Sequence, residues 1–212
     1  AREIGARHEL VESHEIDDPD YQKNESDRCY HCKSELYDIS ATKRVEWGAA
    51  FVVNGTNVDD LGDYRPGLEA AKQAGVRSPL VEAGFTKAEV RACAAELGLS
   101  IHDKPAAACL SSRLPYGTTV TRARLSQIAE LEASLKKLGL RQVRVRWHAV
   151  GSPTNGDGAK AAASAGLREA AIARIEVAKE ELANAFEVRD AIVEAGKAAG
   201  FQYVTLDLLG YR

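Results

Sequence analysis

Ala-Ala-Phe-Val-Val at residues 49–53 runs directly into Asn-Gly-Thr-Asn at residues 54–57. A short apolar run that ends in turn-forming polar residues is typical of a strand buried on both faces of a parallel sheet. Ligands of open α/β sheets bind at the carboxyl ends of such strands. The stretch therefore predicts an α/β fold, with a buried parallel strand at 49–53 and a ligand-binding loop that begins at Asn54.

The loop is rich in amide, carboxylate and guanidinium groups. It continues over residues 58–67 as Val-Asp-Asp-Leu-Gly-Asp-Tyr-Arg-Pro-Gly. This composition fits a nucleotide or anion site, and a solvated cluster of turns is the alternative interpretation.

The overall composition is that of an ordinary globular protein. The 212 residues are 45% hydrophobic and 28% charged, which suits one large domain or two small ones. The formal net charge of −3 does not favour binding to nucleic acid through overall charge. The sequence shows no apolar run of membrane-spanning length and no signal-peptide pattern. We therefore expect a cytoplasmic protein that does not associate with membranes.

Cys29 and Cys32 form a Cys-x-x-Cys pair just after Asp27, a residue that can begin a helix. The positive end of a helix dipole suits metal-bound or redox-active thiolates. A third cysteine, Cys93, falls on the apolar stripe of a helix that begins at the capping-box sequence 86–89, so we expect Cys93 in the core.

The fourth cysteine, Cys109, lies in a run of small residues bounded by proline and glycine. Residues 104–117 read Lys-Pro-Ala-Ala-Ala-Cys-Leu-Ser-Ser-Arg-Leu-Pro-Tyr-Gly, which is typical of an ordered loop that approaches a ligand closely. Arg113 places a cation four residues after the thiol. We interpret Cys109 as an active-site thiol, and a buried free cysteine in a turn is the alternative.

Arginines alternate with apolar residues on a predicted strand at 143–148, which follows a helix predicted from Thr121 to Gly139. Arg144 and Arg146 share one face of this strand and could clamp a phosphate or carboxylate. The alternative is that they form cross-strand ion pairs with a later strand at 173–177. A helix at 180–199 and a final strand at 203–208 complete the predicted elements.

Together these motifs resemble the LarE-type ATP-dependent sacrificial sulfur transferases, a family of the PP-loop ATP pyrophosphatase superfamily. The resemblance extends over nearly the whole chain, and its motifs follow one another in a single order. They are residues 28–33, 54–57, 59–60, 63–67, 76–80, 104–105, 108–109, 112–113, 115–117, 143–146 and 203–207.

The resemblance implies an α/β fold with two domains. Residues 1–110 would be the remaining part of a PP-loop (HUP-like) domain with a parallel sheet, incomplete at its N-terminus. Residues 115–212 would be a smaller α+β domain for substrate binding and oligomerisation, with an inserted loop at 149–170. The family's Ser-Gly-Gly-x-Asp-Ser phosphate loop is not in this sequence. We therefore expect these residues to be part of a longer protein. The resemblance also implies a homo-oligomer.

The implied reaction begins when ATP, with Mg²⁺, adenylates a carboxylate of pyridinium-3,5-biscarboxylic acid mononucleotide. A sulfur nucleophile then displaces AMP, and the thiocarboxylate product leads to a nickel-pincer cofactor. Cys109 matches the family's essential cysteine. Members with three cysteines hold a [4Fe-4S] cluster, and the matching residues here are Cys29, Cys32 and Cys109.

The resemblance also assigns binding roles residue by residue. The matching residues for ATP are Asn54, Gly55, Asn57, Asp59 and Arg65, and those for the mononucleotide are Ser112, Arg113, Glu132, Arg144 and Arg146.

Two other functions are compatible with the cysteine motifs. One is a PP-loop thiolation enzyme that acts on tRNA, although the acidic sequence lacks the basic surface or zinc fingers of such enzymes. The other is a non-catalytic module in which the three cysteines hold an iron–sulfur cluster, or bind zinc with His31 or His102 as a fourth ligand.

Overall fold

The computed structural model describes residues 1–62, 65–150 and 170–211. It divides into two compact units, Ala1–Tyr21 with Ser26–Lys104 and Gln22–Glu25 with Pro105–Arg212. Asp63 and Tyr64 of the predicted ligand loop, and nearly all of the predicted insertion, lie outside the described residues.

The described part of the first unit consists mainly of helices. They are α1 (Pro19–Gln22, without its last residue), α2 (Arg28–Glu46), α3 (Pro66–Gln73), α4 (Pro79–Glu82) and α5 (Lys87–Glu96). The long helix α2 begins directly after Asp27, as predicted, and packs against α3 around Tyr37, Ala70 and Ala71. No helix in the described ranges combines the length and hydropathy needed to cross a bilayer.

The predicted buried strand at 49–53 is wrong. The segment is joined to Arg77 by a single parallel bridge at Val53, and Phe51 and Val53 are each 58% exposed. A strand buried on both faces needs paired neighbours and covering helices. Around Phe51 the described residues of this unit do not supply them, so the apolar run alone does not produce a strand.

The predicted capping box at the start of α5 is confirmed. Thr86 Oγ1 accepts a hydrogen bond from Glu89 N (3.3 Å), and Glu89 Oε2 accepts one from Thr86 N (2.8 Å). The prediction that Cys93 lies in the core is wrong, because Cys93 is exposed and α5 contains no buried residue. Helical periodicity selects which face is apolar, but it does not guarantee that a neighbour packs on that face.

The second unit contains a small mixed sheet. Its described elements are α6 (Arg122–Lys137), β1 (Val143–Ala149), β2 (Ala171–Val177), α7 (Leu182–Glu187), α8 (Arg189–Ala198) and β3 (Tyr203–Leu206). The strands lie in the order β1-β2-β3, with β1 antiparallel and β3 parallel to β2. The helix predicted over 180–199 is divided into α7 and α8.

The two faces of β1 differ as the alternation predicts. Val145 and Trp147 are buried on one face, where α6 packs with Ile128 and Leu131 fully buried. Trp147 Nε1 donates a hydrogen bond to Gln127 Oε1 (2.9 Å) beneath the sheet. The opposite face of the sheet carries the arginines of β1 and β2.

Candidate active site

Cys109 lies on an ordered loop of the second unit with its side chain exposed. It immediately precedes a 3-10 turn, Leu110–Arg113. The Cys109 carbonyl accepts hydrogen bonds from Ser112 N (3.1 Å) and Ser112 Oγ (2.7 Å). The exposed thiol agrees with an active-site cysteine and not with the alternative of a buried free cysteine.

Arg113 and Glu132 form a bidentate ion pair in the interior of the second unit. Arg113 Nε lies 2.8 Å from Glu132 Oε1, and Arg113 Nη2 lies 3.2 Å from Glu132 Oε2. Arg113 Nη1 also donates to the carbonyls of Ala108 (2.8 Å) and Cys109 (3.0 Å). Glu132 Oε1 accepts a third hydrogen bond from Val145 N (3.0 Å). The resemblance predicts that both residues contact substrate. In the structure they bond each other, and Arg113 bonds the backbone of the loop that carries Cys109.

The arginines of β1 and β2 surround the buried carboxylate of Glu176. Arg146 Nε lies 3.1 Å and Arg174 Nη1 lies 3.0 Å from Glu176 Oε1. Arg144 Nη1 lies 3.8 Å from Glu176 Oε2. Arg174 also pairs with Asp207. The predicted cross-strand ion pairs are therefore present. Among the described residues that make these ion pairs, three guanidinium groups face the two carboxylates of Glu176 and Asp207.

Both arginines of β1 also bond groups beyond the sheet. Arg146 Nη1 donates to the Ser112 carbonyl (2.8 Å), which joins β1 to the Cys109 loop. Arg144 Nη2 donates to the Tyr211 hydroxyl (2.6 Å), and its guanidinium lies 4.3 Å from the centre of the Tyr211 ring. The structure thus brings together Cys109, Ser112 and the two arginines of the predicted mononucleotide site.

His148 lies on the same face of the sheet as the arginines. Its Nε2 accepts a hydrogen bond from Arg174 Nε (3.3 Å). Burial lowers the pKa of His148, and the nearby charges of Arg174 and Arg146 lower it further, against the opposing effect of Glu176. The environment therefore favours a neutral imidazole that accepts at Nε2.

The Cys-x-x-Cys pair belongs to the first unit. Cys29 and Cys32 are the second and fifth residues of α2, with Cys29 exposed and Cys32 half-buried, and neither is in a disulfide. Between them, His31 lies 3.8 Å from an Asp18 carboxylate oxygen and 3.5 Å from one of Asp27. Over the described ranges, no three His, Cys, Asp or Glu side chains are grouped to hold a metal ion. Metal binding by these cysteines stays a prediction.

The predicted nucleotide loop is held by its own side chains. Asn54 Oδ1 accepts hydrogen bonds from Thr56 N (3.1 Å) and Ser78 Oγ (2.8 Å), next to the exposed Gly55. The half-buried Asn54 therefore fixes the turn at which the loop begins.

The remainder of this loop is bonded to the start of α5. Asn57 Oδ1 accepts from Asp59 N (3.1 Å), and Asp59 Oδ2 accepts from Lys87 N (2.7 Å). Arg65 Nη1 donates to Asp60 Oδ1 (2.7 Å). The structure brings the predicted ATP-binding residues of this loop together, and several of their polar atoms bond other groups of the unit.

The first unit also contains a cavity of about 260 Å³ with mainly apolar walls. Its walls include Val11, Leu36, Ile39, Trp47 and Phe51. These are not the residues predicted to bind ATP, so the cavity does not mark the predicted nucleotide site.

Comparison with known proteins identifies the family, although no family model matches the chain. An uncharacterized protein of Synechocystis is 42% identical over 216 aligned residues, which cover 100% of this chain and 72% of that protein. The pyridinium-3,5-bisthiocarboxylic acid mononucleotide synthase of Lactiplantibacillus plantarum is 38% identical over 216 residues, covering 100% of this chain and 69% of the synthase. The chain belongs to the LarE-type family. An uncharacterized protein of Methanocaldococcus jannaschii is 28% identical over 90% of this LarE-type chain.

Two contributors to this candidate site have only weak signals in the sequence. Glu176 is predicted as an ion-pair partner of the arginines, but its position among three guanidinium groups depends on strand register. Tyr211 follows the last strand without any periodic pattern. Its signal is the preceding Gly210, which is typical of a turn.

Proposed function

We propose that this LarE-type protein transfers sulfur, in an ATP-dependent reaction, to a carboxylate of pyridinium-3,5-biscarboxylic acid mononucleotide. The thiocarboxylate formed would serve the synthesis of a nickel-pincer cofactor. One observation carries this proposal: the exposed Cys109 lies on a loop that is hydrogen-bonded to the arginine face through Arg146 and Ser112. A reactive thiol and an anion-binding surface are thereby joined within one unit.

The arginine face suits the phosphate of a mononucleotide. Guanidinium groups bind phosphate through paired, charge-assisted hydrogen bonds. Arg144 and Arg146 are oriented by Glu176, and 13% and 25% of their side-chain surfaces are exposed. Ser112, on the adjoining turn, would complete this part of the substrate site. Because Arg113 and Glu132 bond each other, we assign them to positioning of the Cys109 loop.

The proposed chemistry has two steps. A carboxylate oxygen of the substrate attacks the α-phosphorus of ATP, and pyrophosphate leaves. A sulfur nucleophile then attacks the acyl carbon, and AMP leaves with the former carboxylate oxygen. Adenylation is required because an ionised carboxylate is a poor electrophile until it carries a good leaving group. We propose that ATP and Mg²⁺ bind beside the first unit's loop, at Asn54, Gly55, Asn57, Asp59 and Arg65.

The cysteines determine the sulfur source in this proposal. Thiolates are the usual protein ligands of iron–sulfur clusters. The donor chemistry of Cys29 and Cys32 fits, because two thiols separated by one turn of a helix lie on the same side of it and can bind one cluster. Together with Cys109 they would hold a [4Fe-4S] cluster, which when bound supplies a non-protein sulfide. The role of this chain's residues is then to bind the mononucleotide, orient its carboxylate and hold the Cys109 loop.

We also propose that the protein forms a homo-oligomer.

The experiment that tests this function is sulfur incorporation into the mononucleotide. Full-length protein is reconstituted anaerobically and incubated with ATP, Mg²⁺, sulfide and pyridinium-3,5-biscarboxylic acid mononucleotide, and the products are analysed by mass spectrometry. We expect exchange of a carboxylate oxygen for sulfur, together with AMP release. Cys109→Ala should abolish both, whereas Cys93→Ala, at an exposed position in the first unit, should retain them. Equal product from wild type and Cys109→Ala would overturn the proposal.

A further inference from the structure

Tyr211 bonds the arginine face and the beginning of the Cys109 loop at the same time. Its hydroxyl accepts from Arg144 Nη2 (2.6 Å) and donates to the carbonyl of Ala106 (3.3 Å). Its ring lies against the Arg144 guanidinium, 4.3 Å from Cζ to the ring centre, a distance typical of a cation–π contact. A single phenol therefore joins a predicted phosphate-binding arginine to the residue three positions before Cys109.

The backbone fixes the position of this phenol. Gly210 has a φ of 71°, and a Cβ at that position would lie 3.0 Å from the Val177 carbonyl. The turn allows Tyr211 N to donate to that same carbonyl (2.7 Å), at the end of β2. This backbone hydrogen bond attaches Tyr211 to the sheet. The side chain then extends from the end of β2, and its hydroxyl lies between Arg144 and the Ala106 carbonyl.

The other end of the Cys109 loop is bonded to the same face. Arg146 Nη1 donates to the Ser112 carbonyl (2.8 Å), and Arg146 and Arg144 both contact Glu176. One connected network therefore runs from Ala106 through Tyr211 and the arginines to Ser112. It spans both sides of Cys109.

We propose that Tyr211 is a positioning residue that couples anion binding at Arg144 to the conformation of the Cys109 loop. The inference rests on the proposed function, because it takes Arg144 as part of the phosphate site. An anion that draws the Arg144 guanidinium towards itself weakens or redirects the bond to the Tyr211 hydroxyl. The hydroxyl also bonds the Ala106 carbonyl. The conformation of the loop that carries the Cys109 thiol therefore responds to whether substrate phosphate is bound.

A direct test uses thiol reactivity and needs no turnover. The rate of alkylation of Cys109 by iodoacetamide is measured in metal-free, full-length protein, with and without saturating inorganic phosphate, by mass spectrometry of the Cys109 peptide. We expect phosphate to change this rate by about twofold or more in wild type, and to leave it unchanged in Tyr211→Phe. Phenylalanine keeps the ring against Arg144 but removes both hydroxyl hydrogen bonds.

Two controls separate coupling from general damage. Cys93 is exposed in the first unit, so its alkylation in the same samples should not respond to phosphate in either protein. Tyr203→Phe makes the same chemical change at a tyrosine of β3 that is 53% exposed, and it should behave as wild type. Equal urea midpoints for the three proteins establish that all are folded. A Cys109 rate that responds equally in wild type and Tyr211→Phe, or in neither, overturns the inference.

Kinetics distinguish this inference from the proposed function. If wild type forms the thiocarboxylate, we expect Tyr211→Phe to raise KM for the mononucleotide and to lower kcat, with a combined loss in kcat/KM of about tenfold or more. Unchanged kcat and KM would contradict the positioning role while leaving the function in place. If wild type forms no thiocarboxylate, the proposed function fails, and the alkylation experiment still decides whether Tyr211 couples the two groups.

Discussion

Arg113 and Glu132 are joined by two hydrogen bonds, of 2.8 and 3.2 Å, with side chains only 4% and 7% exposed. A buried pair of this kind strongly destabilises a protein when one partner loses its charge, because the other charge is left without compensation. Here the pair also connects three segments. Glu132 lies on α6 and accepts a hydrogen bond from Val145 N of β1, and Arg113 donates to the Cys109 carbonyl. The conformation of the thiol loop is therefore tied to the stability of the core.

Glu132→Gln should destabilise the second unit substantially. Removing one charge of a buried pair costs about 3–5 kcal/mol, which corresponds to a fall in Tm on the order of 10 °C for a protein of this size. The measurement is thermal unfolding followed by circular dichroism. Glu130→Gln is the matched control, because Glu130 is exposed on the same helix and should change the free energy of unfolding by less than about 0.5 kcal/mol. Equal Tm values for the two variants would show that the buried pair is not important for stability.

Arg146→Lys should weaken use of the mononucleotide. Lysine keeps the charge but cannot make the paired hydrogen bonds of a guanidinium, and it cannot bond Glu176 and the Ser112 carbonyl together. Loss of a charge-assisted hydrogen bond of about 1.5–3 kcal/mol predicts a rise in KM of about 10- to 100-fold. The measurement is the KM for the mononucleotide in the sulfur-transfer assay.

Arg122→Lys, at an exposed position on α6, is the control for this substitution and should keep the wild-type KM. If Arg146→Lys lowered Tm but left KM for the mononucleotide unchanged, Arg146 would be only a structural partner of Glu176.

His148 should make the stability of the folded chain depend on pH. Burial, together with Arg174 and Arg146, lowers the pKa of His148 in the folded state, so the unfolded chain binds a proton more readily. The free energy of unfolding should therefore decrease as the pH falls below about 6.5, and continue to decrease until the lowered pKa is passed. Urea unfolding at a series of pH values between about 7.5 and 5 measures this dependence.

His148→Gln should reduce that pH dependence. The glutamine carbonyl can accept the hydrogen bond from Arg174 Nε without titrating, and so it replaces the neutral imidazole. His8→Gln, at an exposed position, is the control and should leave the wild-type slope unchanged. An identical slope for wild type and His148→Gln would contradict the assignment of the titrating group.

The sequence predicts the elements of the second unit well because their patterns are local. The alternation of β1 predicts which side chains are buried, and Thr121 is the N-cap residue of α6, where its side chain accepts a hydrogen bond from Arg124 N. The capping box of α5 is predicted for the same reason. Each of these features depends on residues within a few positions of one another.

Features that depend on tertiary neighbours are predicted less well. The apolar run at 49–53 and the stripe that contains Cys93 both read as buried, yet Phe51 and Cys93 are exposed. The residue pattern indicates which side chains are suited to burial. Whether another element packs over them depends on tertiary contacts, which a local pattern does not contain. The contact between Tyr211 and Arg144, 67 positions apart, is outside the reach of any local pattern.

Iron binding tests the roles of the four cysteines separately. If Cys29, Cys32 and Cys109 hold one cluster, then alanine substitution of any of them should remove most of the iron and acid-labile sulfide bound after anaerobic reconstitution. Each substitution leaves only two of the thiolates, whereas four is the usual number. Cys93 is exposed, like Cys29 and Cys109, and lies outside these motifs, so Cys93→Ala should bind the wild-type amount. The measurements are iron and sulfide analysis and the visible absorption spectrum.

The same samples distinguish a cluster from zinc. Zinc at a site of cysteine and histidine ligands has no visible absorption band of its own and takes four ligands, so a zinc module should also lose metal on substitution of His31 or His102. We expect iron with sulfide, and no loss on His102→Gln, which changes an exposed side chain of the first unit. Wild-type protein that binds zinc in preference to iron would contradict the cluster. A loss of iron in Cys93→Ala with retention in Cys29→Ala would contradict the ligand assignment, because it would place the metal at the exposed face of α5 and away from the Cys-x-x-Cys turn of α2.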